Sequence, residues 1–261
     1  MIHPGLVSVT FRQLTPRQII DLVQQTRLEC IEWGGDIHVP HGDVHKARQV
    51  GEMTKAAGLR VSSYGSYYRV WPREPVPFDL VLETAVALGA PVIRVWAGKL
   101  GSAQAGEDHW KHVIRESREI ARKADQEGIG VAFEYHPNTL TDTQTSALRL
   151  LREADHPNLF SYWQAPVNET HSECLAGINS ILPWLWNLHV YAWKAAPPGQ
   201  EQASRLALVE AERAWIDYFQ CAAATGQEHD ALLEFVKDDS PELFLQDADE
   251  LLRLLKIFEN G

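Results

Sequence analysis

Cysteine is scarce in this sequence of 261 residues: three are present, Cys30, Cys174 and Cys221. Their odd number, wide spacing and lack of a CxxC pair argue against disulfides and a cysteine-built zinc site. They point to a reducing compartment, the cytoplasm. Long apolar runs are also missing, so no segment is expected to span a bilayer as a helix. The first residues, MIHPGLVSVTFRQ, have neither the charged start nor the long apolar centre of a signal peptide. No lysine- or arginine-rich run occurs, and the formal charge is −11. Such a surface repels phosphate backbones, which disfavours nucleic-acid partners. No GxxxxGK[ST] loop announces phosphate binding, leaving Arg69 and Arg73 in YYRVWPR as candidates for an anion contact.

What is present is a repeated grammar: a helix-like run, a glycine, then a continuous apolar strand. KAAGLRVSSY, ALGAPVIRVW, DQEGIGVAFEY and ATGQEHDALLEF all show it, at Gly58, Gly89, Gly128 and Gly226. Glycine just past a helix is the usual left-handed stop. Apolar runs without alternation suit strands covered on both faces, as in a parallel sheet. With the less regular cases, strands are expected at 6–10, 29–33, 60–64, 92–96, 130–134, 159–163, 186–191 and 231–236. Helices are expected at 16–27, 43–57, 77–88, 104–127, 141–154, 172–181, 204–225 and 241–258. Thr15-Pro16-Arg17-Gln18 offers an N-cap, a proline at the first helical position and a capping-box glutamine; Thr141 with Gln144 is read the same way. Ser240-Pro241-Glu242 opens the last helix. Eight strand–helix units predict an α/β fold, a closed (β/α)8 barrel forming one domain over 1–261. An open doubly wound sheet is the alternative, but no GxGxxG follows the first strand.

Chemistry in such a barrel sits where strands end. The strand ends here are Glu32-Trp33, Tyr64, Trp96, Glu134-Tyr135-His136, Gln164, His189-Val190-Tyr191 and Glu234. Aromatic rings there serve packing as readily as binding. Glutamates are different, because they are almost never fully buried unless paired. Glu32, Glu134 and Glu234 therefore call for a shared cation or substrate. Gln164 ends the apolar run LFSYW, where an unpaired amide would cost several kcal/mol, roughly 2–7 on transfer scales.

The stretch VAFEYHPNTLTDTQTSALRLL, 131–151, resembles the xylose isomerase-like TIM-barrel family, which includes sugar isomerases and epimerases and a branch of apurinic-site endonucleases. IEWGGDIHVPHGD (31–43), LHVYAWK (188–194) and LLEFVKDD (232–239) support the resemblance, which spans nearly the whole chain. It implies a divalent metal held by a strand-five Glu, a strand-six Asp, a strand-seven His and a strand-eight Glu. By position these are Glu134, Gln164, His189 and Glu234, so strand six departs from the pattern. It also implies that Glu134 and Glu234 are the catalytic acid and base. His136 corresponds to the family's histidine beside the metal or substrate, and Glu32 to a strand-two glutamate that orients a ligand or holds substrate.

Two carboxylates, an imidazole and an amide oxygen suit Mn²⁺, Mg²⁺ or Co²⁺; Zn²⁺ is allowed but not selected. With Gln164 in place of an acid, the ligand charge falls from −3 to −2. That weakens metal affinity and leaves a stronger Lewis acid toward bound oxygens. Gln164 could instead hydrogen-bond substrate, or mark a site that has lost metal and chemistry. His38 and His41, spaced HxxH after strand two, are read as substrate contacts, as are Tyr64, Trp96 and Lys194. Nine tryptophans, several at strand ends with Tyr67, Tyr68, Trp71 and Trp193, suit a carbohydrate-like small molecule whose C–H faces stack on rings. Some of these rings could equally serve a homo-oligomer contact. The expected activity is a metal-dependent isomerase or epimerase of a sugar or polyol ketone, working through an enediolate. A dehydratase of a cyclic polyol ketone would use nearly the same residues. A non-catalytic sugar-binding module is a further alternative. An apurinic-site phosphodiesterase fits the charge poorly.

Overall fold

Buried side chains occupy nearly every position of the central strands, as a parallel sheet covered on both faces requires. The computed structural model describes residues 1–72, 76–196 and 203–259. Strands β1 (Ile2–Val7), β2 (Cys30–Gly34), β3 (Arg60–Arg69), β4 (Val92–Trp96), β5 (Gly130–Phe133), β6 (Leu159–Trp163) and β7 (Leu185–Val190) run in order around a barrel. After a two-residue ladder of β8 (Trp193–Lys194) with β9 (Ser204–Arg205), β10 (His229–Leu233) closes it against β1. All eight barrel strands pair in parallel, which makes the molecule a (β/α)8 TIM barrel.

The outer helices are α1 (Pro16–Val23), α2 (Val44–Ala56), α3 (Phe78–Leu88), α4 (Glu107–Gln126), α5 (Gln144–Ala154), α6 (His171–Ile181), α7 (Glu212–Ala223) and α8 (Pro241–Glu259). Thr15 caps α1 in the expected box with Gln18, and Gly89, at φ +77, ends α3 in the left-handed region. No helix among the described residues is long and apolar enough to cross a membrane.

Three expectations are corrected. The first strand lies at Ile2–Val7 rather than 6–10, because Ser8–Phe11 turn as a short 3-10 helix that keeps all four side chains buried. Thr143 with Ser146, not Thr141 with Gln144, caps α5; Thr141 is buried and donates to the Glu134 carbonyl at 2.6 Å. The stretch expected to be helical from 204 starts at Glu212, since Ser204–Arg205 pair with β8 and Leu208–Ala211 form a 3-10 turn.

Candidate functional site

Each candidate ligand stands within one residue of the C-terminal end of a barrel strand: Glu134 just after β5, Gln164 just after β6, His189 one residue before the end of β7, and Glu234 just after β10. The parallel ladder sets their height. Glu134 N–H donates to Val95 at 3.0 Å and Glu234 N–H to Val190 at 2.9 Å, each extending its strand by one bond. The four side chains converge. His189 Nδ1 lies 3.1 Å from Gln164 Oε1, 3.3 Å from Glu234 Oε2 and 3.9 Å from Glu134 Oε1. Glu134, His189 and Glu234 are all buried and offer donor atoms within 4.8 Å of one another.

Gln164 is held by its other end. Its Nε2 donates to the Tyr135 carbonyl at 2.6 Å, which turns Oε1 toward His189. The amide thus satisfies both its atoms, and a carboxylate at this position would face a carbonyl oxygen with no proton to offer. Gln164→Asp should raise Mn²⁺ affinity about tenfold by adding charge, a direction fixed by the Coulomb attraction. Calorimetric titration beside wild type checks it, and equal, negligible binding in both would remove Gln164 from the ligand set.

The two glutamates are held very differently. One oxygen of Glu134, Oε2, accepts from both Arg94 Nη1 and Trp96 Nε1, which leaves Oε1 to face the centre. Glu234 meets His189, and its second oxygen has no hydrogen-bond partner among the described residues. Beneath them Arg94, 1% exposed, also donates Nε to Glu32 Oε1 at 2.8 Å, while Ser63 donates to Glu32 Oε2 at 2.6 Å. Burial alone would raise the Glu32 pKa, but the attractions of Arg94 and His189 outweigh it and hold the carboxyl well below its usual range. For His189, burial works to lower the pKa, yet Glu234 and Glu32 together carry it to about 9. The floor of the site therefore attracts positive charge.

Above it opens a cavity of about 730 Å³. Glu134, Gln164 and Glu234 form part of its wall, with Trp96, His136 and Tyr67 beside them. His136 donates Nδ1–H to the Pro137 carbonyl at 2.7 Å, and burial holds its pKa below the usual value, so its Nε2 stays available as an acceptor. Among the described residues of the wall, Arg12 is the one with a permanent positive charge. It is tied to Asp36 and, at 3.2 Å, to the Tyr67 hydroxyl.

Of the expected substrate contacts, Trp96 and His136 line the cavity. The others do not. Glu32 lies below the floor. His38 is buried between Ser8 Oγ at 2.9 Å and the Leu14 carbonyl at 3.2 Å. His41 bonds the Tyr64 hydroxyl at 2.7 Å, and the fully buried Tyr64 donates to the Val39 carbonyl. Lys194 is exposed on β8. Trp33 and Trp163 belong to the core, whereas Tyr67 and Trp193 join Trp96 in the wall. Arg69 reaches the Gly98 carbonyl at 3.0 Å with its guanidinium over Trp96, and Arg73 lies outside the described residues. The sequence reading missed Arg94 and Arg12. For Arg94 a signal existed: an arginine inside VIRVW must be exposed or paired, and the flanking apolar residues exclude exposure.

Comparison with known proteins bears on the family and the fold. The family model for the xylose isomerase-like TIM barrel matches residues 20–165. The chain belongs to that family. A 3-dehydroshikimate dehydratase from Bacillus anthracis is 34% identical over 103 residues, 37% of this chain. That match spans 35%, about a third, of the relative's length. Among solved structures, a probable 3-DHS dehydratase involved in petrobactin synthesis, also from Bacillus anthracis, superposes with a TM-score of 0.79 at 20% identity. The superposition covers 97% of this chain and 99% of that one. A xylose isomerase-like TIM-barrel protein from Mycobacterium smegmatis, in complex with magnesium, gives 0.69 at 16% identity over 97% of this chain and 96% of its own. At these identities the two structures establish the shared fold.

Proposed function

We propose that this protein is a divalent-metal-dependent lyase that removes water from a cyclic hydroxy-ketone carboxylate of the 3-dehydroshikimate type. The observation that carries this is the asymmetry of the two cavity-lining glutamates: Glu134 is clamped by Arg94 and Trp96, whereas Glu234 has His189 as its one ion-pair partner among the described residues and no hydrogen bond from an arginine or tryptophan. The matched dehydratase supports the same choice over the isomerase or epimerase reading.

The donor set fits a hard divalent ion. Two carboxylate oxygens, an amide oxygen and an imidazole nitrogen are the ligand types that Mn²⁺, Mg²⁺ or Co²⁺ accept. The edge of an octahedron with bonds of about 2.1 Å is about 3 Å, and the contacts of His189 Nδ1 with Gln164 and Glu234 are 3.1 and 3.3 Å. With Nδ1 turned to the centre, the buried Nε2 has no hydrogen-bond partner among the described residues but lies 3.5 Å from Glu32 Oε1, so a small shift of either group would make the carboxylate–histidine bond that orients metal-bound imidazoles. An ion held there would supply Lewis-acid polarisation of the substrate's ketone.

The chain's own groups do the rest. Glu234 takes the proton from the carbon next to the ketone, and the same carboxyl returns it to the hydroxyl leaving from the next carbon. One C–H and one C–O bond break, one C=C bond forms, and water departs with both its protons accounted for. One mobile carboxylate suffices for this sequence. An epimerase needs a second proton-transfer group on the opposite face, and Glu134 is tied down. His136 Nε2 is placed to accept from a ring hydroxyl, Arg12 meets the substrate carboxylate, and Trp96 packs against the ring.

The test is a metal-supplemented assay on 3-dehydroshikimate beside a panel of ketoses. Loss of water from the cyclic acid, with enolisation making its ring aromatic, should give a new ultraviolet chromophore. Turnover of ketoses alone would instead favour the isomerase or epimerase reading.

A further inference from the structure

Arg94 and Glu32 occupy a place where an apolar pair would fill the barrel as well. Arg94 is 1% exposed and Glu32 is fully buried, and neither lines the cavity. Burying an ion pair rarely stabilises more than well-packed apolar residues do, so the pair calls for another role. The surroundings are shaped around it. A Cβ on Gly65 would come within 2.8 Å of both Arg94 Nη2 and Glu32 Oε1, so this glycine makes room for the pair. The Tyr67 ring covers the guanidinium, with Arg94 Cζ 4.9 Å from its centroid.

The pair reaches two of the four candidate ligands from behind. Arg94 Nη1 holds Glu134 Oε2, and Glu32 Oε1 stands 3.5 Å from His189 Nε2. Its charges also matter. An imidazole that ligates a metal is neutral, so with His189 in that role Glu32, Glu134 and Glu234 with the single cation Arg94 leave two negative charges, the complement of one divalent ion.

We propose that Arg94 and Glu32 are a positioning pair that aims Glu134 and His189 at the metal and sets the buried charge of the centre at minus two. The inference rests on reading the cluster as a metal site. Glu32→Gln leaves Arg94 with Glu134 as its one carboxylate, so the guanidinium competes with the ion for that ligand. Glu32→Gln with Arg94→Met removes both charges, restores the balance and leaves Glu134 with Trp96 alone to orient it.

Calorimetric titration with Mn²⁺ distinguishes these roles. Glu32→Gln should weaken binding at least about tenfold, in keeping with a buried charge change near an ion. The double variant should return to within about threefold of wild type, while its kcat stays at least about tenfold low at near-unchanged KM, because a ligand out of place costs rate. A merely structural pair would behave otherwise: the double variant would bind as weakly as the single one or worse, and that result overturns the proposal, as does wild-type kcat in the double variant. Should Glu32→Gln not fold, Ser63→Ala loosens Glu32 without changing charge; it should lower kcat at unchanged Mn²⁺ affinity, and unchanged kcat overturns the positioning role. Wild type that binds no Mn²⁺ removes the metal reading itself, an outcome separate from a failure of the pair.

Discussion

Replacing Glu234 with glutamine should lower kcat by about 10³-fold or more, within the 10²–10⁴ range typical of a lost proton-transfer group. The amide keeps an oxygen at the end of β10 that can face an ion, so Mn²⁺ affinity should fall only by about tenfold as one ligand charge is lost. The split between the two readouts is the point. Glu134→Gln should act in the opposite proportion, losing more in metal affinity, because Glu134 is held by Arg94 and Trp96 and in the proposed mechanism serves as a fixed ligand rather than a moving base. Steady-state kinetics and metal titration on the same preparations check both. A Glu234→Gln enzyme with wild-type kcat would remove this residue from the chemistry.

Stripping divalent metal should abolish turnover, and adding Mn²⁺ should restore it. The second readout needs no substrate. Glu32, Glu134 and Glu234 crowd a buried floor with Arg94 as their one fixed countercharge, so an added ion relieves repulsion in the folded state only. At one hundred times its dissociation constant, a ligand specific to the native state stabilises by about 2.7 kcal/mol. In a domain of this size that corresponds to roughly 5–10 °C in melting temperature. Melting curves with and without chelator check this, and a melting temperature indifferent to Mn²⁺ would contradict it.

How much of this was legible in the sequence depended on how local each signal was. The continuous apolar runs at Gly130–Phe133 and Leu159–Trp163 carry their own burial, and a glycine marks the helix end before four of the eight barrel strands, so the barrel order could be read. The first strand was misplaced because Val7, Val9 and Phe11 are buried on both sides of its boundary, and burial alone does not tell a strand from the 3-10 turn that follows. Strand-ending acids stood out because a buried carboxylate needs a partner. The partner itself was harder to see. Arg94 lies 62 residues from Glu32 and 40 from Glu134, and only the closed barrel brings them together. The same distance hid the fates of His38 and His41, whose bonds to Ser8 and Tyr64 use their ring nitrogens inside the protein. The reaction was least legible of all. Isomerase, epimerase and dehydratase chemistry can be run from one fold with the same residue types, and the unequal holding of Glu134 and Glu234 appears only in the geometry.

The central claim, that Glu234 drives elimination rather than proton return, is tested most directly by running the Mn²⁺-loaded enzyme with 3-dehydroshikimate in D₂O and analysing the mixture by mass spectrometry. The account predicts a product one water lighter, formed without deuterium accumulating in the unreacted substrate. Deuterium entering the substrate with no water lost would contradict it and return the site to an isomerase or epimerase.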